Sequence, residues 1–228
     1  MLIRIEHLDA ESAWTHILEW HKLYQSELKK FNLPHSMFIP DNPIMYEMFE
    51  QETLSESQIR YYHDIFVNNV YNLSDLTKRD PDITQAILLF QNMVEIRIKP
   101  LLHAWNAKIP ETLTIQCEYG RGAGYLSGKK PTILFRMSND NRNAHDIYLL
   151  LSHEFVHILI EEQIIQKYNV PQDLKERIVD IIRFELFGKP VQPMFERSFA
   201  NSYITPEAIR TNLPETVKTM MTDYTAQK

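Results

Sequence analysis

The segment from residue 147 to 160 constrains this chain more than any other part of the sequence. Most of its positions are apolar, and His153, Glu154 and His157 interrupt it in the pattern His-Glu-x-x-His. A helix that is apolar on all sides is typically buried in a protein core. Histidine and glutamate side chains are costly to bury without partners. We therefore predict a buried helix whose polar side chains contact a bound ligand or partner groups in the protein.

The spacing of the two histidines indicates a metal site. Residues four apart lie on the same helix face, roughly 5 to 6 Å from each other, so the imidazoles of His153 and His157 can bind one ion. This pattern is the usual way in which a helix holds a hydrolytic zinc. Glu154 lies one residue round the helix and would act as the base toward water rather than as a ligand. The alternative interpretation is a polar stripe on a packed helix.

The third ligand should come from a second helix. Three donors at positions i, i+4 and i+8 of a straight helix cannot converge, because the outer two are about 12 Å apart, so Glu161 is a poor ligand. The next predicted helix begins near Pro171 and ends at Gly188. It carries Glu176 and Asp180 on one face. We predict that Glu176 binds the metal while Asp180 holds a ligand imidazole; the alternative is a solvated pair of carboxylates.

Taken together, these residues resemble the gluzincin metallopeptidases, which include the thermolysin-like proteases, related zinc aminopeptidases and the small minigluzincins. The shared pattern is His-Glu-x-x-His, eighteen further residues, and a glutamate within Glu-x-x-x-Asp, and it covers about residues 132 to 180. The resemblance implies a zincin-like fold and peptidase activity. It implies these roles: zinc ligands His153, His157 and Glu176, general base Glu154, and Asp180 as the partner of His153.

The chain departs from this family at two places, and one role has no assigned residue. The aminopeptidases carry Gly-x-Met-Glu-Asn upstream of the histidines, whereas residues Gly122–Leu126 read Gly-Ala-Gly-Tyr-Leu and lack the carboxylate that would bind a free amino terminus. The thermolysin-like proteases have Asn immediately before the ligand glutamate, where Lys175 stands here. The residue that stabilises the oxyanion is not fixed by a motif, and Tyr203 or Tyr168 could serve.

We predict an α+β protein in two parts, the first of which is a helical region over residues 1–108. Apolar residues recur at helical spacing over Ala13–Phe31, Ile59–Leu73 and Ile83–Ile98. Large aromatic residues in this part are expected to form its core. This part could also engage a partner or cover a cleft.

The second part, residues 109–228, is predicted to be the catalytic domain, with a small mixed sheet, an active-site helix and a glutamate helix. Strands are expected at Thr112–Tyr119 and Thr132–Met137, the second of which would lie along the cleft and pair with substrate. The glycine-rich segment between them is predicted to be a structural hairpin turn. Two further helices are predicted at Pro206–Thr211 and Pro214–Tyr224.

Composition excludes several classes of protein. The net charge is −6 and no basic run is present, so nucleic acid is not expected as a partner. The single cysteine, Cys117, cannot form an internal disulfide, which fits a reducing compartment, and we expect it to be inert packing. The remaining histidines are expected to be ordinary surface or core residues. Because we find neither a signal peptide nor an apolar run of membrane-spanning length, no membrane partner is expected and the cytoplasm is the predicted location.

The sequence thus predicts a zinc-dependent hydrolase, with a peptide or protein as its substrate. One alternative is a hydrolase of other bonds on the same metal constellation. Another is a non-enzymatic zinc protein whose helical half is a partner-binding module. Three protein ligands with a neighbouring glutamate favour catalysis, because structural sites usually close with four ligands.

Overall fold

A computed structural model describes residues 1–31, 34–136, 142–188 and 198–227, without the side chain of Phe31. Within these residues the fold is α+β, as predicted, with ten α-helices around one four-stranded mixed sheet. The strands are β1 (Leu2–His7), β2 (Thr112–Glu118), β3 (Gly122–Leu126) and β4 (Thr132–Arg136). The helices are α1 (Ala10–Leu23), α2 (Pro43–Glu50), α3 (Glu56–Ile65), α4 (Leu73–Thr77), α5 (Asp80–Met93), α6 (Leu102–Trp105), α7 (Ala144–Ile160), α8 (Gln172–Phe187), α9 (Pro206–Thr211) and α10 (Leu213–Ala226).

The sheet has the strand order β1-β2-β4-β3. β1 pairs with β2 and β2 pairs with β4 in parallel, whereas β3 runs antiparallel to β4. The strand predicted to pair with substrate, β4, therefore has a neighbour on both sides, and this prediction is wrong. The sheet edge beside α7 is β3 instead.

The glycine-rich segment was also predicted incorrectly. A hairpin turn joins two adjacent antiparallel strands, but β4 lies between β2 and β3. The residues after Tyr119 instead carry the chain across the end of the sheet. The hairpin is formed by β3 and β4, whose register pairs Gly122 with Arg136 and Leu126 with Thr132.

Strand β1 was missed by the sequence analysis. Its residues alternate between exposed and partly buried positions, with Ile3 and Ile5 packed against the main core. This period of two is the signal of a half-buried strand, and it was available in the sequence. Because β1 pairs with β2 along its length, the first residues of the chain complete the sheet of the second part.

Local sequence explains where the main helices begin and end. The side chain of Asp9 caps α1, and Ser55 with Gln58 forms a reciprocal capping box at α3. Asn143 accepts hydrogen bonds from the backbone N–H groups of His145 and Asp146 and so starts α7. Asn141, whose side chain could also cap this helix, and Met137, the last residue of the second predicted strand, lie outside the described residues. Gly188 ends α8 with a left-handed backbone, as its position predicted.

Several helices continue into a wider turn of π-helical geometry. These segments are Tyr24–Leu28 after α1, Phe66–Val70 after α3, Val94–Ile98 after α5 and Glu161–Gln166 after α7. The predicted helices of the first part are therefore present, but each one loses its regular form before its predicted end. The regular part of α5 ends before Pro100, as expected of a residue that lacks the backbone N–H.

Two apolar cores hold the fold together. The smaller one contains buried residues from Ala13 to Leu76 together with Tyr119. The larger one lies between the sheet and helices α5, α7 and α8, where the ring of Phe90 meets that of Phe155 edge to face at 5.1 Å. Helix α5 thus belongs to the core that surrounds α7, although it precedes residue 108. The boundary between two domains at that residue stays a prediction.

Among the described helices, none combines the length and the apolar character that a bilayer crossing requires.

Candidate metal centre

Helix α7 places the two predicted histidine ligands on one face. The Nε2 atoms of His153 and His157 lie 3.1 Å apart, and the ring centroids lie 4.8 Å apart. His157 is buried, while the side chain of His153 is 21% exposed. The pair therefore forms the inner wall of a site that solvent can reach from the side of His153.

Helix α8 brings a carboxylate to the same point. The Oε2 atom of Glu176 lies 3.5 Å from Nε2 of His153 and 3.3 Å from Nε2 of His157. Its other oxygen, Oε1, accepts a hydrogen bond from the side-chain amide of Gln172 at 2.6 Å. One oxygen of Glu176 is thus held by its own helix, and the second faces both imidazoles.

The three atoms fit a zinc ion by size and by chemistry. Their separations of 3.1, 3.3 and 3.5 Å place the point equidistant from them about 1.9 Å from each atom. Zinc–nitrogen and zinc–oxygen bonds measure about 2.0 to 2.2 Å, so the three residues would hold an ion of this size after little movement. Two imidazoles and one carboxylate are also a donor set that catalytic zinc uses.

Asp180 occupies the predicted place beside the first histidine. Its Oδ1 atom lies 3.4 Å from Nδ1 of His153, on the side of the ring away from Glu176. A carboxylate at the non-ligating nitrogen fixes the tautomer and orientation of a metal-binding imidazole. The Nδ1 atom of His157 is buried and has no hydrogen-bond partner among the described residues. The two histidines are therefore held in different ways.

The charges of the site follow from these contacts. Burial alone would raise the pKa of Glu176, but the two imidazoles hold it well below its ordinary value. Burial also opposes protonation of His153, yet Asp180 and Glu176 outweigh it and raise the pKa of His153 to about 9. The pKa of His157 is lowered, chiefly by burial. The protein thus keeps Glu176 ionised and makes His153 the more basic imidazole.

Glu154 lies beside the triad in a nearly dry environment. Its side chain belongs to the buried set, with 6% of the residue exposed. Burial raises the pKa of Glu154 to about 7, against the positive charges of His153, Arg136 and Lys175. A carboxyl group that exchanges its proton near neutral pH is suited to general base and acid chemistry.

Tyr125, on the edge strand β3, belongs to this site and was not identified from the sequence. Its ring stacks on that of His157, with centroids 4.6 Å apart and planes inclined by 8°. Its hydroxyl donates to Oε2 of Glu161 at 2.6 Å and accepts from Nζ of Lys175 at 3.1 Å. Burial, together with the bond to Glu161, raises the pKa of Tyr125. The only signal in the sequence was a large ring within a strand of small residues.

The remaining predicted candidates lie elsewhere. The hydroxyl of Tyr203 donates to Oδ2 of Asp223 on α10 at 2.7 Å. The ring of Tyr168 lies 5.3 Å from the ammonium group of Lys167. No contact in the described part of the chain joins either tyrosine to the three converging atoms. Glu161 bonds to Tyr125, which agrees with its rejection as a ligand.

Arg136 connects the site to the helical part of the chain. Its guanidinium group lies 4.5 Å from the centre of the Trp20 ring on α1 and donates to the carbonyl oxygen of Ala123 at 2.8 Å. The residue is only 8% exposed, and its charge acts to lower the pKa of Glu154. Helix α1 therefore covers a charge that influences the candidate base.

A scan of protein-family models, a search of curated proteins and a search of solved structures found no match for this chain. The interpretation of the site therefore depends on its own geometry and chemistry.

Proposed function

We propose that this protein is a zinc-dependent hydrolase that cleaves peptide bonds. The observation that supports the proposal most directly is the convergence of His153, His157 and Glu176 on one point, with the buried carboxyl group of Glu154 next to it. Three protein ligands leave a coordination position free, which is the arrangement of catalytic rather than structural zinc. The gluzincin resemblance of the spacing is consistent with this function.

Each residue has a distinct task in the proposed reaction. His153, His157 and Glu176 would hold the ion, which would supply a Lewis acid for the carbonyl and lower the pKa of its bound water to about 7. Glu154 removes a proton from the attacking water and then delivers it to the leaving amine. Asp180 keeps the ring of His153 in the orientation that presents Nε2. Burial raises the pKa of Glu154, which makes its carboxylate a stronger base toward water.

The edge strand β3 supports an extended peptide as the substrate. Among the described residues β3 pairs with β4 on one side and with no strand on the other, so that edge offers backbone N–H and C=O groups. An extended chain can add to such an edge by main-chain hydrogen bonds. Because Tyr125 on this strand contacts His157, a peptide bound along β3 would pass close to the metal point.

A reducing compartment such as the cytoplasm is the proposed location. Cys117 is a free thiol in the described structure, and it is buried in the larger core. The acidic net charge and the absence of a basic run also favour a peptide or protein over nucleic acid as the partner.

The test compares substrates under controlled metal content. The full chain is stripped with a chelator, reloaded with one equivalent of Zn²⁺, and assayed on quenched-fluorescent peptide mixtures and on ester, amide and epoxide substrates. We expect peptide cleavage that the chelator abolishes and zinc restores. Cleavage of another substrate class alone would assign a different hydrolase. Stable zinc binding with no turnover of any substrate would favour the partner-binding alternative.

A further inference from the structure

A second cluster of metal-binding side chains lies at the end of the sheet. His7 is the last residue of β1, and it pairs in register with Cys117 of the parallel strand β2. Asp80, the first residue of α5, approaches from the adjoining helix, and its Oδ1 atom lies 2.8 Å from Nε2 of His7. One donor atom from each of the three residues lies within 4.8 Å of the other two.

The solvent exposure of the three residues decreases from Asp80 to His7 to Cys117. The side chain of Asp80 is 37% exposed and that of His7 is 20% exposed, whereas Cys117 is 3% exposed as a residue. The thiol makes no hydrogen bond in the part of the chain that the structure describes. An ion entering from solvent would therefore meet a carboxylate and an imidazole first and the sulfur last.

We propose that His7, Asp80 and Cys117 bind a second divalent cation of the zinc type, separate from the centre on α7 and α8. A thiolate with an imidazole selects zinc over magnesium or calcium, which prefer oxygen ligands. The three ligands come from β1, β2 and α5, so a bound ion would contact three elements that lie far apart in the sequence. This inference extends beyond the proposed hydrolase, because it needs neither Glu154 nor Glu176.

Binding of a cation at this cluster requires that Cys117 lose its proton. Burial raises the pKa of Cys117 to about 12, and the carboxylate of Asp80 adds to the effect. The protein alone therefore keeps the sulfur protonated. A bound cation reverses this balance, since it compensates Asp80 and deprotonates a coordinating thiol outright. The simpler interpretation is an ion pair between His7 and Asp80 above an inert cysteine, and the two interpretations differ in whether a thiolate forms.

Cobalt provides a probe that separates the two centres. Chelator-treated full-length protein is titrated anaerobically with Co²⁺ while the near-ultraviolet charge-transfer band of cobalt bound to thiolate is recorded. The centre at His153, His157 and Glu176 contains no sulfur and cannot produce this band. We expect two equivalents of bound cobalt and a thiolate band in the wild type. The Cys117→Ser variant should lose the band and one equivalent of cobalt.

Paired variants make the outcome decisive. The double variant His153→Ala and His157→Ala should keep the thiolate band while it loses the other equivalent. Because Cys117 lies in the core and its variant could unfold, His7→Gln and Asp80→Asn serve as more exposed alternatives, and both should weaken the band. A wild type that binds cobalt without a thiolate band would overturn the inference. A band that survives both His7→Gln and Asp80→Asn would also overturn it, because the thiol would then bind cobalt without the cluster.

Discussion

The rings of Tyr125 and His157 are stacked 4.6 Å apart with their planes inclined by only 8°. This contact joins the edge strand β3 to helix α7, and it packs the ring of His157, whose Nδ1 atom has no hydrogen-bond partner among the described residues. The orientation of His157 therefore depends on an aromatic face, whereas that of His153 depends on the carboxylate of Asp180.

The first prediction follows from this stacking. Tyr125→Ala should weaken zinc affinity by about 10-fold or more, as the loss of groups that orient a metal ligand usually does. Tyr125→Phe keeps the ring and should restore most of the affinity. Competition with a zinc-binding dye measures both values. Equal losses in the two variants would assign the effect to the hydroxyl and its bonds to Glu161 and Lys175.

The second prediction concerns the base. Glu154→Gln should abolish turnover and leave bound zinc unchanged, because the amide cannot accept the proton but the ligands remain. The matched control is Glu162→Gln, which changes an exposed residue just after α7 and should leave turnover unaffected. Metal content and kcat are measured on the same samples. Full activity of Glu154→Gln would show that another group is the base.

The third prediction concerns the ligand on α8. Glu176→Ala should lower zinc affinity by about 10-fold or more, by analogy with the measured cost of changes around metal sites. Asp173→Ala removes an exposed carboxylate from the first turn of the same helix and serves as the control. If Glu176→Ala retained zinc as tightly as the wild type, Asp173 or Asp180 would become the candidate third ligand.

The fourth prediction tests the residue that stabilises the oxyanion. The hydroxyl of Tyr203 is engaged by Asp223, so Tyr203→Phe should leave kcat unchanged within error. Removing one donor that stabilises an oxyanion costs about 10²- to 10³-fold in kcat, so the assay distinguishes the two cases clearly. A loss of that size with normal zinc content would establish the role that the sequence suggested for Tyr203.

The fifth prediction concerns stability at the loop after β2. Gly120 has a φ of +106°, and a β-carbon at this position would lie 2.5 Å from the carbonyl oxygen of Met37. Gly122 also has a positive φ, of +87°, but a β-carbon there would have no atom within 4 Å. A substitution at Gly122 therefore measures the cost of the backbone conformation without a steric clash. Gly122→Ala should lower the free energy of unfolding by about 1 to 2 kcal/mol. Gly120→Ala should cost about 1 to 3 kcal/mol more, owing to the clash.

Urea denaturation of both glycine variants provides the measurement. Equal losses in the two proteins would mean that the loop moves away from Met37 at little cost.

The sequence predicted those groups of residues that lie within a few positions of one another on a single helix. His153, Glu154 and His157 share one helix, and Glu176 with Asp180 shares the next, so the period of 3.6 residues was enough to group them. Asp9 and Ser55 cap their helices through backbone N–H groups three residues further along the chain, so these caps are also a local feature of the sequence.

The parts that the sequence did not reveal depend on contacts between distant segments. The order of the strands places β4 inside the sheet and β3 at its edge, and no local pattern distinguishes these two arrangements. Tyr125 reaches His157, and His7 reaches Asp80 and Cys117, only after the chain has folded. Strand β1 is different, since its alternation of apolar and polar residues is a local pattern of the sequence.

The position of β1 has a practical consequence for dissecting this protein. A fragment starting at residue 109 would keep every candidate zinc ligand of α7 and α8. It would lack β1, however, and would expose the edge of β2 at the six positions that pair with β1. Exposed strand edges pair with other chains, so such a fragment is expected to self-associate. Residues 2–7 therefore belong to the same sheet as β2 and β4, and a shortened protein that keeps the candidate metal centre should also keep this strand.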